Sequence, residues 1–191
     1  MVFRLSLALV AAAILVVGAA GCGGAQASSA APPPSHVAAA LKGSPPPLAA
    51  LHAQANELLP GGRRAFLAVM ARLRGYPVVV NKWASWCGPC QTEFPAFQKV
   101  AVSLGRQVAF LGLDGKDHDQ AAAAFLRKFP VPYPSYVDPN EDIAGMIEAA
   151  TYYPQTVYYN RAHKQVYDHA GPYTSAGALE QDVRRYAVND R

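Results

Sequence analysis

In the stretch YPVVVNKWASWCGPC a run of β-branched residues follows a proline, and three residues after the run comes Cys87-Gly88-Pro89-Cys90. The run reads as a strand over Val78 to Trp83. The helix after it is predicted to start near Cys87 and continue to about Leu104, interrupted by Pro95, which removes a backbone donor. A cysteine at a helix start faces unpaired backbone N–H groups and the positive end of the helix dipole, both of which favour the thiolate. A chain that turns from buried strand to helix at a reactive thiol is constrained to a layered fold, with the thiol at the carboxyl edge of the sheet.

The rest of the chain fits that frame. QVAFLGL is a continuous apolar run of the kind buried in a parallel sheet. A helix is expected from about Asp119 to Lys128, then a strand at PSYV, a turn at Asp138-Pro139-Asn140 and a short helix from Glu141 to about Ala149. QTVYYN and KQVYDH read as a hairpin, and a last helix spans about Ser175 to Tyr186. The predicted fold class is α/β, a central mixed sheet covered by helices on both faces.

Upstream lies an N-terminal helical extension, residues 48–74. One helix is predicted from Leu48 to Leu59, stopped by Pro60-Gly61-Gly62, and a second from Arg63 to Leu73. Residues 22–47, with APPPS and GSPPP, are rich in Ala, Pro, Ser and Gly and read as a tether. Residues 1–21 carry one early cation and an apolar run from Leu5 to Ala20, short of the roughly twenty residues of a spanning helix, and read as a secretory signal. Ala19-Ala20-Gly21-Cys22 resembles the lipobox of bacterial lipoproteins, with Ala where Leu is usual, which implies lipidation of Cys22 and a membrane anchor. Plain secretion and an uncleaved N-terminal anchor are the alternatives.

Three cysteines are present. With Cys22 assigned to the anchor, Cys87 and Cys90 form an isolated pair, which is no disulfide scaffold and points to chemistry. A closed zinc site needs four ligands, and the histidines, at positions 36, 52, 118, 163 and 169, offer no paired spacing, so no metal is expected. The net charge of +4 is spread without a basic stripe, which excludes a nucleic-acid partner. Cys87 is the expected attacking thiol and Cys90, one turn on, the resolving one. Gly88 lets a partner backbone approach, Pro89 suits a first helical turn, and Trp86 offers an apolar platform or simply packs.

VVVNKWASWCGPCQTEFPAF resembles the active site of thioredoxin-fold proteins, above all the TlpA/ResA-type membrane-tethered thiol-disulfide oxidoreductases, in which WCxPC is followed by E-x-P. The likeness covers about residues 75–191, the expected thioredoxin-like domain. It implies a cis proline facing the dithiol, which Pro154 in ATYYPQTVYY would supply, with the Tyr153 backbone as a docking edge for the client. Of the tyrosines there, Tyr152 and Tyr153 are candidate contacts, whereas Val157 and Tyr159 are expected to pack on one sheet face and Tyr158 on the other.

Two departures bear on proton handling. Thioredoxins carry a buried aspartate where this chain has Asn81, and the acid that ResA-like proteins place after the second strand has no clean match in GLDGKDHDQ, where Asp114, Lys116 and Asp117 are candidates. Asp117 and Asp119 are read as helix caps before they are read as proton carriers. Glu93 either tunes the dithiol or, the preferred reading, caps and solvates the first turns of its helix. Lys82, in a central strand, must snorkel or find a partner, and would lower the Cys90 pKa if its ammonium lay nearby.

The resemblance implies an extracytoplasmic protein disulfide reductase needing no dissociable cofactor. Its electrons would come from a membrane thiol reductase, and its clients would be disulfide-containing proteins, apocytochrome c among them. A copper(I)-binding thioredoxin-fold protein and a thiol peroxidase are the rival readings.

Overall fold

The computed structural model describes residues 31–189, and the signal segment and Cys22 lie outside these. The described chain runs α1 (Pro34–Leu41), α2 (Pro46–His52), β1 (Leu58–Leu59), α3 (Gly62–Arg72), β2 (Val78–Trp83), α4 (Gly88–Leu104), β3 (Ala109–Gly115), α5 (Asp119–Lys128), β4 (Ser135–Asp138), α6 (Asp142–Met146), β5 (Gln155–Tyr159), β6 (Gln165–Ala170) and α7 (Ala176–Asp182), which continues as a π-helical turn over Val183–Val188. The six strands lie in the order β1-β4-β3-β2-β5-β6. The pairs β1/β4, β4/β3 and β3/β2 are parallel, and β2/β5 and β5/β6 antiparallel. This is the expected thioredoxin-like mixed sheet between helices.

Because β2 and β3 have neighbours on both sides and helices over both faces, every residue in them is buried. Odd positions of β2 face one core, where Val79 and Trp83 meet Phe94, Phe97 and Val100 of α4, Phe125 and Leu126 of α5 and Leu179 of α7. Trp83 stacks on Phe125 at 4.7 Å and meets Phe94 edge-on at 5.4 Å. Even positions face a second core, where Val78 and Val80 meet Leu48 and Leu51 of α2, Phe66 and Val69 of α3 and Ile143 of α6. Tyr158 joins the first core, Val157 and Tyr159 the second, as the alternation predicts.

Two expectations near the N-terminus are corrected, and one at the C-terminus is refined. The stretch read as a tether over 22–47 holds a helix from Pro34, with Leu41 buried at its end. Its composition misleads because proline is favoured in a first helical turn and the alanines after it propagate a helix well. The helix expected over 48–59 stops at His52, and Leu58–Leu59 become an edge strand on Ser135–Tyr136. Asn56 takes a left-handed conformation between them, and its side chain donates to the Leu126 carbonyl (3.1 Å) and accepts from the Val131 N–H (3.1 Å). Tertiary pairing thus outweighs helical periodicity. The last helix, expected to about Tyr186, starts with Ser175 accepting from the Ala178 N–H and changes to π-helical geometry at Val183.

Candidate functional site

Cys87 is the N-cap of α4: its backbone is extended, and its Sγ accepts the Cys90 N–H at 3.1 Å. The two sulfurs are bonded to one another, S–S 2.05 Å, with Cα atoms 5.3 Å apart. Cys87 keeps 3% of its surface exposed and Cys90 none, while Gly88 and Pro89 between them are exposed. Whatever reaches this pair reaches Cys87 first. Among the described residues no group of three or more His, Cys, Asp or Glu is placed to hold a metal ion.

The loop ahead of the pair is held from β3's end. Asp117 accepts from both the backbone N–H and the hydroxyl of Ser85, the latter at 2.8 Å, and from the His118 N–H at 2.8 Å. The preference for Asp117 as a cap of α5 is corrected, since α5 begins after His118 without a side-chain cap. Asp114 is buried beside it; burial first, and then the Asp117 charge, push its carboxyl up to about 8. Trp86 stays 57% exposed, anchored by its Nε1–H on the Lys116 carbonyl at 2.9 Å.

On the α4 side of the sheet, Asn81 and Glu93 meet. The Asn81 amide donates to Glu93 Oε1 at 2.6 Å, and the Tyr173 N–H donates to Oε2 at 3.3 Å. Glu93 is fully buried, which corrects its reading as a solvated cap: α4 turns this position onto the sheet. Burial pushes its carboxyl up to about 8 against the pull of those two donors. The acid missing at Asn81 is thus supplied from α4, one turn beyond Cys90.

Lys82 projects from the other face of β2 and is fully buried. Its Nζ lies 2.7 Å from Glu141 Oε1 and 2.7 Å from the Ala149 carbonyl, and sits 3.8 Å from the Tyr153 ring centroid. The expectation that it tunes Cys90 is corrected, because strand alternation sends its charge to the face opposite α4. Burial lowers its pKa and Glu141 raises it back in part. Glu141 went unnoticed in the sequence, where it looked like an ordinary helix start; the signal was Lys82 itself, since a buried ammonium demands an acid at the same sheet edge.

Tyr153 and Pro154 precede β5, and the peptide between them is cis. The Tyr153 ring lies 4.8 Å from that of Trp86, and its hydroxyl donates to Glu141 Oε1 at 2.8 Å. Tyr152 is 55% exposed beside it. The structure therefore gathers Trp86, Cys87, Cys90 and Tyr153 at the carboxyl edge of β2, with Glu93 and Asn81 behind on one face and Lys82 on the other.

A strand-to-helix Cys-x-x-Cys pair and a cis X-Pro turn on this sheet define a thioredoxin-like dithiol/disulfide protein. Residues 67–166, more than half of the chain, match the AhpC/TSA family, and the chain belongs to it. It is 30% identical over 138 residues to the thiol:disulfide interchange protein CycY of Rhizobium leguminosarum bv. viciae, a match covering 70% of this chain and 72% of that one. To the thiol:disulfide interchange protein DsbE of Pseudomonas fluorescens biotype C it is 41% identical over 63 residues, 33% of this chain and 34% of that protein, so the chain spans about a third of that relative. Among solved structures, MTB dsbF, described in mixed oxidized and reduced forms, superposes with a TM-score of 0.54 at 28% identity, covering 58% of this chain and 81% of that one.

Proposed function

We propose that this chain is an extracytoplasmic thiol-disulfide oxidoreductase that reduces protein disulfides with Cys87 and Cys90. The observation that carries the reading is the bonded Cys87–Cys90 pair with Cys87 as N-cap of α4, where the Cys90 N–H reaches its sulfur. Starting from the dithiol, the Cys87 thiolate attacks one sulfur of the client disulfide; that S–S bond breaks, a mixed disulfide forms, and the other client sulfur leaves as a thiolate and takes a proton. Cys90 then loses its proton and attacks Cys87 Sγ, releasing the second client thiol and closing the Cys87–Cys90 disulfide. Two electrons and two protons pass to the client. Glu93, buried one turn from Cys90 with its carboxyl pushed up to about 8, close to the range of an ordinary thiol, is suited to exchange a proton with Cys90.

The names of the relatives support thiol-disulfide exchange, and the Gly-Pro dipeptide shared with thioredoxin favours reduction. In the same reading Cys22 carries a lipid anchor, residues 1–21 are the signal, and 75–191 form the redox domain. A membrane thiol reductase re-reduces the pair, and disulfide-bearing clients, apocytochrome c included, consume its electrons. No helix among the described residues is long and apolar enough to cross a membrane.

Equilibration of the protein with glutathione or dithiothreitol buffers tests direction: a potential near or below about −250 mV supports a reductase, and one near about −120 mV overturns it. Insulin-disulfide reduction tests the site. It is expected to fall to background in both Cys87→Ser and Cys90→Ser, and unchanged rates would overturn the assignment.

A further inference from the structure

Lys82 stands in a central strand between Leu113 and Gln155 with no surface exposed, where an ammonium carries a desolvation cost. Its charge is met by three groups, the Glu141 carboxylate, the Ala149 carbonyl and the Tyr153 ring face. Glu141 in turn accepts the Tyr153 hydroxyl and pairs with Lys116 through its other oxygen. Lys116 and Glu141 both adopt left-handed backbone conformations (φ 50° and 57°), uncommon for residues other than glycine, at adjoining ends of β3 and β4. The Tyr153 ring is thus gripped by face and hydroxyl, and its hydroxyl lies over the bare backbone of Gly115, where an added Cβ would come within 2.3 Å of it. On its other side it meets Trp86, whose indole N–H is fixed on the Lys116 carbonyl.

We propose that Lys82 and Glu141 are positioning residues for client binding: their ion pair holds Tyr153 against Trp86, so that the two rings and the peptide before Pro154 stand as one preset docking edge for the polypeptide carrying the target disulfide. The proposal rests on the dithiol reading above, and adds to it that selection among disulfides is set from the sheet face opposite the cysteines. Neither residue touches the sulfurs. A small disulfide such as oxidised glutathione, which needs no such edge, is indifferent to the pair, whereas a protein disulfide loses an ordered aromatic anchor when the pair is broken.

The test uses the full chain with insulin and glutathione as parallel substrates. Lys82→Met and Glu141→Gln are expected to raise KM for insulin about tenfold with kcat changed less than twofold, and to leave the rate and equilibrium constant of exchange with glutathione within about twofold. Because removing one partner of a buried pair costs stability, two variants that leave the pair intact accompany them: Tyr153→Phe, which removes only the hydroxyl, and Gly115→Ala, which displaces the ring. Both are expected to raise the insulin KM, the second more. If folded Lys82→Met and Glu141→Gln leave the insulin KM unmoved, or, where those two do not fold, if Tyr153→Phe and Gly115→Ala leave it unmoved, or if insulin and glutathione rates fall together, the positioning role is overturned. The dithiol reading fails separately, if Cys87→Ser leaves insulin reduction intact.

Discussion

The amide of Asn81 reaches Glu93 Oε1 at 2.6 Å from the neighbouring element, so that a neutral donor stands where a second carboxyl would compete for the same proton. A carboxyl shielded from water and touched by one strong donor is caught between two demands, burial favouring the acid and the amide favouring the anion. Burial prevails, and the group titrates at about 8.

The first prediction concerns stability against pH. Since the folded pKa of Glu93 is raised above its unfolded value of about 4.5, the unfolded chain binds fewer protons between them. The contribution of Glu93 is therefore at its most favourable below about pH 4.5 and is lost as pH rises towards about 8, with a slope of up to about 1.4 kcal/mol per pH unit. Denaturant unfolding from pH 5 to 9 is expected to show that decline in the wild type and a shallower one in Glu93→Gln, where the likewise raised Asp114 still contributes, whatever the variant's absolute stability.

A second prediction follows from Asp138, which caps α6 with both oxygens, accepting from Ile143 N–H at 3.0 Å and Ala144 N–H at 2.8 Å while buried. Asp138→Ala leaves two buried donors unmet. It is expected to cost about 2 kcal/mol in urea unfolding, with Asp138→Asn losing about half as much.

Much of this was legible beforehand, and the residues that were not share a cause. The α5 helix and the strands β2 to β6 are where periodicity and β-branched runs put them, because local preference and tertiary burial agree there. Trp86, Cys87, Cys90 and the Tyr153–Pro154 turn were carried by one motif and its resemblance. Glu93, Glu141 and Asp117 were misread or missed because each makes its decisive contact with a residue distant in sequence: Asn81, Lys82 and Ser85 respectively. A carboxylate at a helix start looks the same in sequence whether it faces water or a buried amide. Leu58–Leu59 failed for the matching reason, two residues being too few to carry a period while their pairing with β4 decides their state.

The third prediction tests the support of the loop that carries Cys87. Asp117→Ala removes the acceptor for Ser85 N–H and hydroxyl together. It is expected to destabilise the protein by about 1–2 kcal/mol and to speed amide exchange at Ser85 and Trp86 ahead of the rest of the sheet, measured by hydrogen exchange.

The fourth concerns the middle of β3. At Gly112 an added Cβ would lie 2.0 Å from Ser135 Oγ and 2.9 Å from Trp83 Nε1, two atoms that bond each other at 3.1 Å. Gly112→Ala is expected to lower stability by about 1–3 kcal/mol through overpacking, with a changed Trp83 fluorescence spectrum reporting the displaced indole.

The two-residue strand β1 has a mechanical consequence. It fastens the chain upstream of Leu58 to β4, at one rim of the sheet, with β3 still between it and the strand that leads to Cys87. A pull on the chain at residue 31 would meet α1, with Leu41 buried at its end, and α2, whose Leu48 and Leu51 lie in the core with Val78 and Val80 of β2, before it came to that short seam. The segment that leads into the domain is thus held twice, by side chains in the core and by the strand seam, so that a load on it is divided between the two.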